Sequence, residues 1–122
     1  MNLRSLPGRF AVCKLAPDAE IPGGLDESTL FSITRTENEL SIVCRDSDDL
    51  PGAVEPGWCG LEVEGPLDFA LVGVLASLTQ PLAEAGVSIF ALSTFDTDYL
   101  LVKETQLESA LVALQAAGHR VS

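Results

Sequence analysis

Three aspartates and three hydroxyls crowd two short stretches of this sequence. Asp68 lies in Gly65-Pro66-Leu67-Asp68-Phe69, and Asp96 and Asp98 follow Ser93 and Thr94 in Ser93-Thr94-Phe95-Asp96-Thr97-Asp98. An alternating segment precedes the first stretch and an aliphatic run the second, and each reads as a strand entering a tight turn. These residue types suit a free amino acid, which carries a carboxylate and an ammonium on one carbon. The carboxylate needs unpaired backbone N–H groups, and a helix start presents them with a favourable dipole. The turn Gly65-Pro66-Leu67-Asp68 predicts such a start. The ammonium needs an acid or clustered carbonyls in a partly dry site, and Asp68, Asp96 and Asp98 are the candidates. Each also has a plainer reading. Asp68 suits a helix N-cap or first turn, worth about 1 kcal/mol. Asp96 and Asp98 suit a loop for turn chemistry alone. Ser93 and Thr94 can offer hydroxyls to a ligand or bond their own backbone.

Catalytic patterns are missing. No serine, histidine and acid spacing suggests a triad, and the single His119 is a poor general base beside the last residues. Gly23-Gly24 lacks the flanking pattern of a phosphate loop. Cys13, Cys44 and Cys59 form no CxxC and have no histidine at metal-ligand spacing. An enzyme, a metal and a cofactor are therefore not expected. Seven basic against eighteen acidic residues give a net charge of −11, which repels phosphate backbones and anionic lipids. Nucleic-acid and membrane-surface roles are disfavoured on that ground. The apolar-rich region Leu67 to Ala85 is broken by Asp68, Gln80, Pro81 and Glu84, so no membrane span is expected. An odd cysteine count and no apolar run of signal-peptide length predict free thiols in a reducing cytoplasm.

The second half of the chain supplies the elements that must position these groups. Leu61-Glu62-Val63-Glu64 alternates as a half-buried strand does. Leu67 to about Ala85 predicts a helix, with a Leu71, Leu75, Leu78, Leu82 stripe and few polar residues elsewhere. Pro81 predicts a kink or frayed turn, and Gly86 the helix end. Ser88 to Thr94 and Tyr99 to Lys103 read as strands of a hairpin. Glu104 to Ala117 carries Leu107, Ala110, Leu111 and Leu114 at helical spacing. Gly118 stops it, and His119-Arg120-Val121 can form an edge strand. The order is βαββαβ, the ferredoxin-like unit.

The first half repeats this with losses. A shift of 59 residues lays Leu30-Phe31-Ser32-Ile33-Thr34 over Ile89-Phe90-Ala91-Leu92-Ser93, and Leu40 to Val43 over Tyr99 to Val102. Upstream a shift of about 50 lays Phe10 to Lys14 over Gly60 to Glu64. The difference means that the first helix of the front half is cut short, as Pro22-Gly23-Gly24 also requires. Pro51-Gly52 and Pro56-Gly57 leave only Asp46 to Leu50 for its second helix. Three readings stand for residues 59–64: the last strand of the front unit, the first of the rear one, or both.

Glu64 to Phe69, Ser88 to Tyr99 and Leu101-Val102-Lys103, with Ser32 to Thr36 and Glu39 to Cys44 upstream, resemble the small ACT-domain proteins of bacteria. These are similar in turn to the ACT lobes of the CASTOR arginine sensors and of aspartate kinases. The resemblance spans nearly the whole chain. It implies an α+β, ferredoxin-like fold of two ACT-type βαββαβ units with antiparallel sheets: a truncated unit over residues 1–58 and a complete one over 59–122. It also implies an amino-acid-binding regulatory protein, with ligand held where two ACT units meet. The expected ligand-binding residues are Gly65, Pro66, Leu67, Asp68, Phe69, Ser93, Thr94, Asp96, Thr97 and Asp98. The expected partners are a small amino acid or related metabolite, and a second copy or a regulated protein. The rival reading is a protein-interaction module without ligand binding, fed by the over-apolar helix from Leu67 to Ala85.

Overall fold

The alternation Leu61-Glu62-Val63 works as a half-buried strand requires. Leu61 and Val63 are fully buried, and Glu62 lies on the opposite face. They end strand β5 (Ala53–Val63) in a computed structural model that describes residues 1–68 and 72–122. Before β5 come β1 (Asn2–Ser5), β2 (Phe10–Leu15), β3 (Ser32–Arg35) and β4 (Leu40–Arg45). After it come α1 (Val74–Glu84), β6 (Ile89–Ser93), β7 (Asp98–Lys103), α2 (Leu107–Ala116) and β8 (Arg120–Val121). The chain forms two compact units: residues 8–58, and residues 59–122 together with 1–7.

The larger unit has the βαββαβ order expected of residues 59–122, with strands arranged β6-β7-β5-β1-β8. β1 is an addition to that plan. It holds one apolar residue in four, too little pattern to announce a strand. It runs antiparallel to β5 (Leu3↔Val63) and parallel to β8 (Leu3↔Val121), so the sheet is mixed where an antiparallel one was expected. The core joins Leu3, Leu61, Val63, Leu100 and Val102 of the strands to Leu78 and Leu82 of α1 and Ala110 and Leu114 of α2.

α1 is shorter than the apolar run that announced it. It begins at Val74, after Gly73 in the left-handed region (φ 80), and not at Leu67. Leu67 and Asp68 are non-helical, and Leu71 of the expected stripe lies outside the described residues. Nor is α1 buried all round: Ala76, Ser77, Gln80, Ala83 and Glu84 face solvent while Leu78 and Leu82 face the core. Alanine counted as apolar in the pattern, yet it loses little by exposure. The described outer side therefore offers no broad apolar stripe to a second chain.

Pro81 stays inside α1. A proline has no N–H, so the Ser77 carbonyl one turn back loses its helical donor. His119 replaces it: Nε2 donates to the Ser77 carbonyl at 3.0 Å. Since a carbonyl only accepts, this bond fixes the proton on Nε2.

In the unit of residues 8–58 the strand order is β3-β4-β2-β5. Cys13, Leu40, Ile42 and Cys44 form its core, with Leu15, Leu25, Leu50 and Val54 packed against them. Its first helix is reduced to one 3-10 turn, Leu25–Glu27. Asp46 to Leu50 makes a turn and no helix. The two hairpins match, but not at the expected offset. Arg35 pairs with Leu40 as Ser93 pairs with Asp98, an offset of 58. The Thr36 N–H donates to the Glu39 carbonyl (2.9 Å) as the Thr94 N–H donates to that of Thr97 (2.8 Å). Phe31 thus falls on Ile89 and not on Phe90, and Val43 on Leu101 and not on Val102. A one-residue slip moves a side chain to the other face. The segments 30–33 and 89–92 are apolar at nearly every position, so their composition does not record which face is which. The likeness of the two hairpins stands on loop geometry and strand order.

The proline and histidine of the larger unit are energetically coupled. His119→Ala leaves the Ser77 carbonyl without a donor, which costs about 1–3 kcal/mol. In a Pro81→Ala background the restored N–H serves that carbonyl, and the same histidine replacement costs less. Urea denaturation of the four-protein cycle measures this. Equal penalties in both backgrounds would show that the His119–Ser77 bond carries no stability.

Candidate functional site

The end of β5 and the β6–β7 loop are locked together by short bonds. The hydroxyl of Thr97, a residue that is 9% exposed, donates to the Val63 carbonyl at 2.5 Å. The Leu67 N–H donates to the Asp96 carbonyl at 2.7 Å. Gly65 lies where these strands converge, and its peptide to Pro66 is cis. A Cβ there would sit 3.2 Å from the Asp96 carbonyl oxygen and 3.3 Å from the Thr97 Cβ. A side chain there would push both segments apart by a few tenths of an ångström, and glycine avoids this.

Beside this junction opens a cleft of about 190 Å³ lined by Leu67, Asp68, Val74, Ser93, Thr94, Phe95, Asp96, Thr97 and Asp98. That is below the roughly 300–1,000 Å³ typical of drug-sized pockets and suits one small metabolite. Of the expected site residues, Leu67, Asp68, Ser93, Thr94, Asp96, Thr97 and Asp98 line it. Gly65 and Pro66 shape the turn without lining the cleft, and Phe69 lies outside the described residues.

Some of these groups already have protein partners. Ser93 Oγ donates to Asp98 Oδ1 at 2.7 Å, which aims that carboxylate. Thr94 Oγ1 bonds the Thr97 carbonyl at 3.1 Å and so closes the loop on itself. Three carboxylates line the cleft, and none of its described lining residues is Lys, Arg or His. The field there favours a cation.

Backbone donors come from a different place than expected. The turn at Leu67–Asp68 is not a helix start, and the Leu67 N–H is spent on Asp96. The start of α1 is the source instead, because Val74 lines the cleft and its N-cap residue, Gly73, makes no side-chain cap hydrogen bond. Its first N–H groups have no helical acceptor, and no acidic residue occupies the first turn to satisfy the dipole. Val74 was missed in the sequence, although Gly73 ahead of Val74-Leu75 and Leu78 was the signal.

Outside the cleft the nucleophiles are blunted. Burial, reinforced by the neighbouring Cys13, pushes the Cys44 thiol up to about 11, and burial raises that of Cys13 as well. At neutral pH both remain protonated thiols, which are poor nucleophiles. On the face of β5 away from the core, Arg4 donates to Glu62 Oε1 through Nε (3.2 Å) and Nη2 (3.0 Å). The Tyr99 hydroxyl donates to Glu62 Oε2 at 2.7 Å.

Two outcomes follow from these contacts. Thr97→Val removes the donor from the Val63 carbonyl and lowers unfolding free energy by about 1–3 kcal/mol in urea, with the amide signals of residues 64–67 and 94–98 shifting most. The hydrogen bond to Glu62, then burial, raises the Tyr99 pKa above its ordinary 10.0. The folded state holds the phenolic proton more tightly than the unfolded chain does. Its stabilisation is present below pH 10 and is lost as pH rises through the folded value. Tyr99 is the only tyrosine, so phenolate absorbance reads it directly, and Tyr99→Phe flattens the alkaline loss of stability.

A family model described as the ACT domain matches residues 53–116, and a second, for an N-terminal domain, matches residues 8–52. The Homo sapiens cytosolic arginine sensor for mTORC1 subunit 1 is 37% identical over 96 residues. That match covers 71% of this chain and 29% of the sensor, so the chain spans under a third of that relative's length. A crystal structure of an Agobacterium tumefaciens protein superposes with a TM-score of 0.91 at 39% identity, covering 99% of this chain and 91% of that one. The regulatory subunit of aspartate kinase from Thermus thermophilus shares the fold, with a TM-score of 0.62 at 13% identity over 91% of this chain and 93% of that one.

Proposed function

Because the chain belongs to the ACT-domain family, we propose that it is a regulatory protein that binds a small free amino acid or related metabolite in the cleft beside the Ser93–Asp98 loop. The observation that carries this reading is the pairing of two complementary poles at one cleft. Asp68, Asp96 and Asp98 supply carboxylates for an ammonium, and the start of α1 at Val74, behind the N-cap Gly73, supplies N–H groups for a carboxylate. The Ser93 hydroxyl holds Asp98 in place, which limits the ordering cost of binding. The arginine named for the curated relative is the first ligand to test, since its guanidinium suits an acidic lining. The role is regulatory and not catalytic: the thiols of Cys13 and Cys44 are held protonated and His119 is committed to the Ser77 carbonyl. Its output is a change in a partner, whether a second copy or a regulated protein, in the cytoplasm. No described helix is long and apolar enough to cross a membrane.

Thermal-shift screening of the twenty amino acids tests this directly, because a ligand that binds only the native state raises its melting temperature. Calorimetry on the ligand found gives one site per chain. Asp98→Asn and Asp68→Asn each weaken it at least about tenfold, since removing one partner of a charge-assisted pair costs about 2–5 kcal/mol. Should no amino acid bind with millimolar affinity or better, the reading fails and an interaction module without ligand takes its place.

A further inference from the structure

The smaller unit holds a cavity of about 320 Å³, and it exists because the cover over that sheet is thin. In the larger unit two helices press Leu78, Leu82, Ala110 and Leu114 onto the strands. The smaller unit has in their place only the 3-10 turn Leu25–Glu27 and a turn within Asp46 to Leu50. The space left open has a floor of Cys13, Ile42 and Cys44, walled by Leu25 and Leu50. Cys13 and Cys44 are free thiols, and they hydrogen-bond to each other. No sequence motif announces this pair; the β2–β4 register makes it. Cys13 lies opposite Ile42 and Cys44 opposite Ala11, so the two cysteines are diagonal neighbours across the ladder. Diagonal Cα atoms lie about 7–8 Å apart, more than the roughly 4.4–6.8 Å that a disulfide usually spans. An ion bound to both sulfurs, through bonds of about 2.3 Å each, reaches further than one S–S bond of about 2.05 Å.

We propose that Cys13 and Cys44 form a binding site for one monovalent copper ion, reached through this cavity. Binding forms two Cu–S bonds and breaks two S–H bonds; both protons pass to solvent, and nothing is oxidised or reduced. A coordinated thiol gives up its proton outright. The donor set selects the ion. Thiolates suit soft Cu(I), whereas a structural zinc takes four ligands. No group of three metal-ligating side chains occurs among the described residues. The neighbouring acid, Asp46, directs its Oδ2 to the Gly57 N–H at 3.0 Å. The complex of Cu(I) with two thiolates carries one negative charge, and Arg45 on the cavity wall offsets it. This site lies in the other unit from the amino-acid cleft, and its test does not depend on that reading.

The probe is Cu(I) itself, offered without oxygen to the full chain as its bicinchoninate complex with ascorbate present. The protein takes one copper per chain, read as loss of the chelator's colour, and a thiolate-to-copper band grows in the near ultraviolet. Cys13→Ala and Cys44→Ala each weaken binding about 100-fold or more, because the second sulfur no longer acts at the local concentration that the first provides. Cys59→Ala, which removes the remaining cysteine, binds as the wild type does. Cu(I) is diamagnetic, so amide shifts in the wild type locate the site if an alanine variant fails to fold, and they centre on residues 11–14 and 42–45. Copper that stays with the chelator overturns the proposal. So does undiminished binding by a folded Cys13→Ala or Cys44→Ala chain, an equal loss in Cys59→Ala, or shifts centred elsewhere.

Discussion

The alternation at Leu61-Glu62-Val63 is the constraint from which the larger unit is built. Burying Leu61 and Val63 fully is worth about 1.5–3 kcal/mol each. The exposed ion pair of Arg4 with Glu62 is worth about 0–1 kcal/mol. Burial therefore decides which face of β5 meets the helices, and the Arg4–Glu62–Tyr99 contacts take the face that is left. The same choice places the Val63 carbonyl where the Thr97 hydroxyl reaches it, and so fixes the loop on which Asp96 and Asp98 stand. Charge positioning at the cleft is a consequence of apolar burial one residue away.

The second dependence runs through Pro81. A proline in the third turn of an eleven-residue helix would leave a carbonyl unpaired against the protein. His119 supplies that bond from the segment after α2, so the defect in one helix ties down the end of the other. A lone histidine that reads as a titratable group in the sequence is a structural donor in the fold. Its commitment to a carbonyl is a reason to keep it out of any catalytic account.

The two units share a strand arrangement and differ in their helices. The smaller unit holds one 3-10 turn and no longer helix, and Pro22-Gly23-Gly24 and Pro51-Gly52 interrupt the segments between its strands. In both units the hairpin loop closes on itself through threonine and needs no helix to hold it. With its helix reduced to a single turn, the segment after β2 is held instead by two bonds from Arg35. In the larger unit a single backbone bond from Leu67 does that work, and the space beside Ser93 remains open.

Local patterns fixed much of this in advance. Alternation marked β5, helical spacing marked α2, and glycine and proline marked both the helix ends and the losses of the front half. The clustering of Asp68 with Ser93 to Asp98 was also legible, since strands in a βαββαβ unit bring the turns after the first and second strands together. What escaped depends on partners distant in the chain. β1 has one apolar residue and exists only because β5 and β8 flank it. The start of α1 was hidden by an apolar run that continues upstream of Gly73, and the exposed alanines looked buried by composition. The one-residue error between the hairpins arose where both faces are apolar and periodicity carries no phase. The bond from His119 to Ser77 and the forks of Arg35 link residues far apart in sequence. Hydrophobic period is a local property and can be read along a chain. A hydrogen-bond partner for a given carbonyl is a property of packing, and only the tertiary structure decides it.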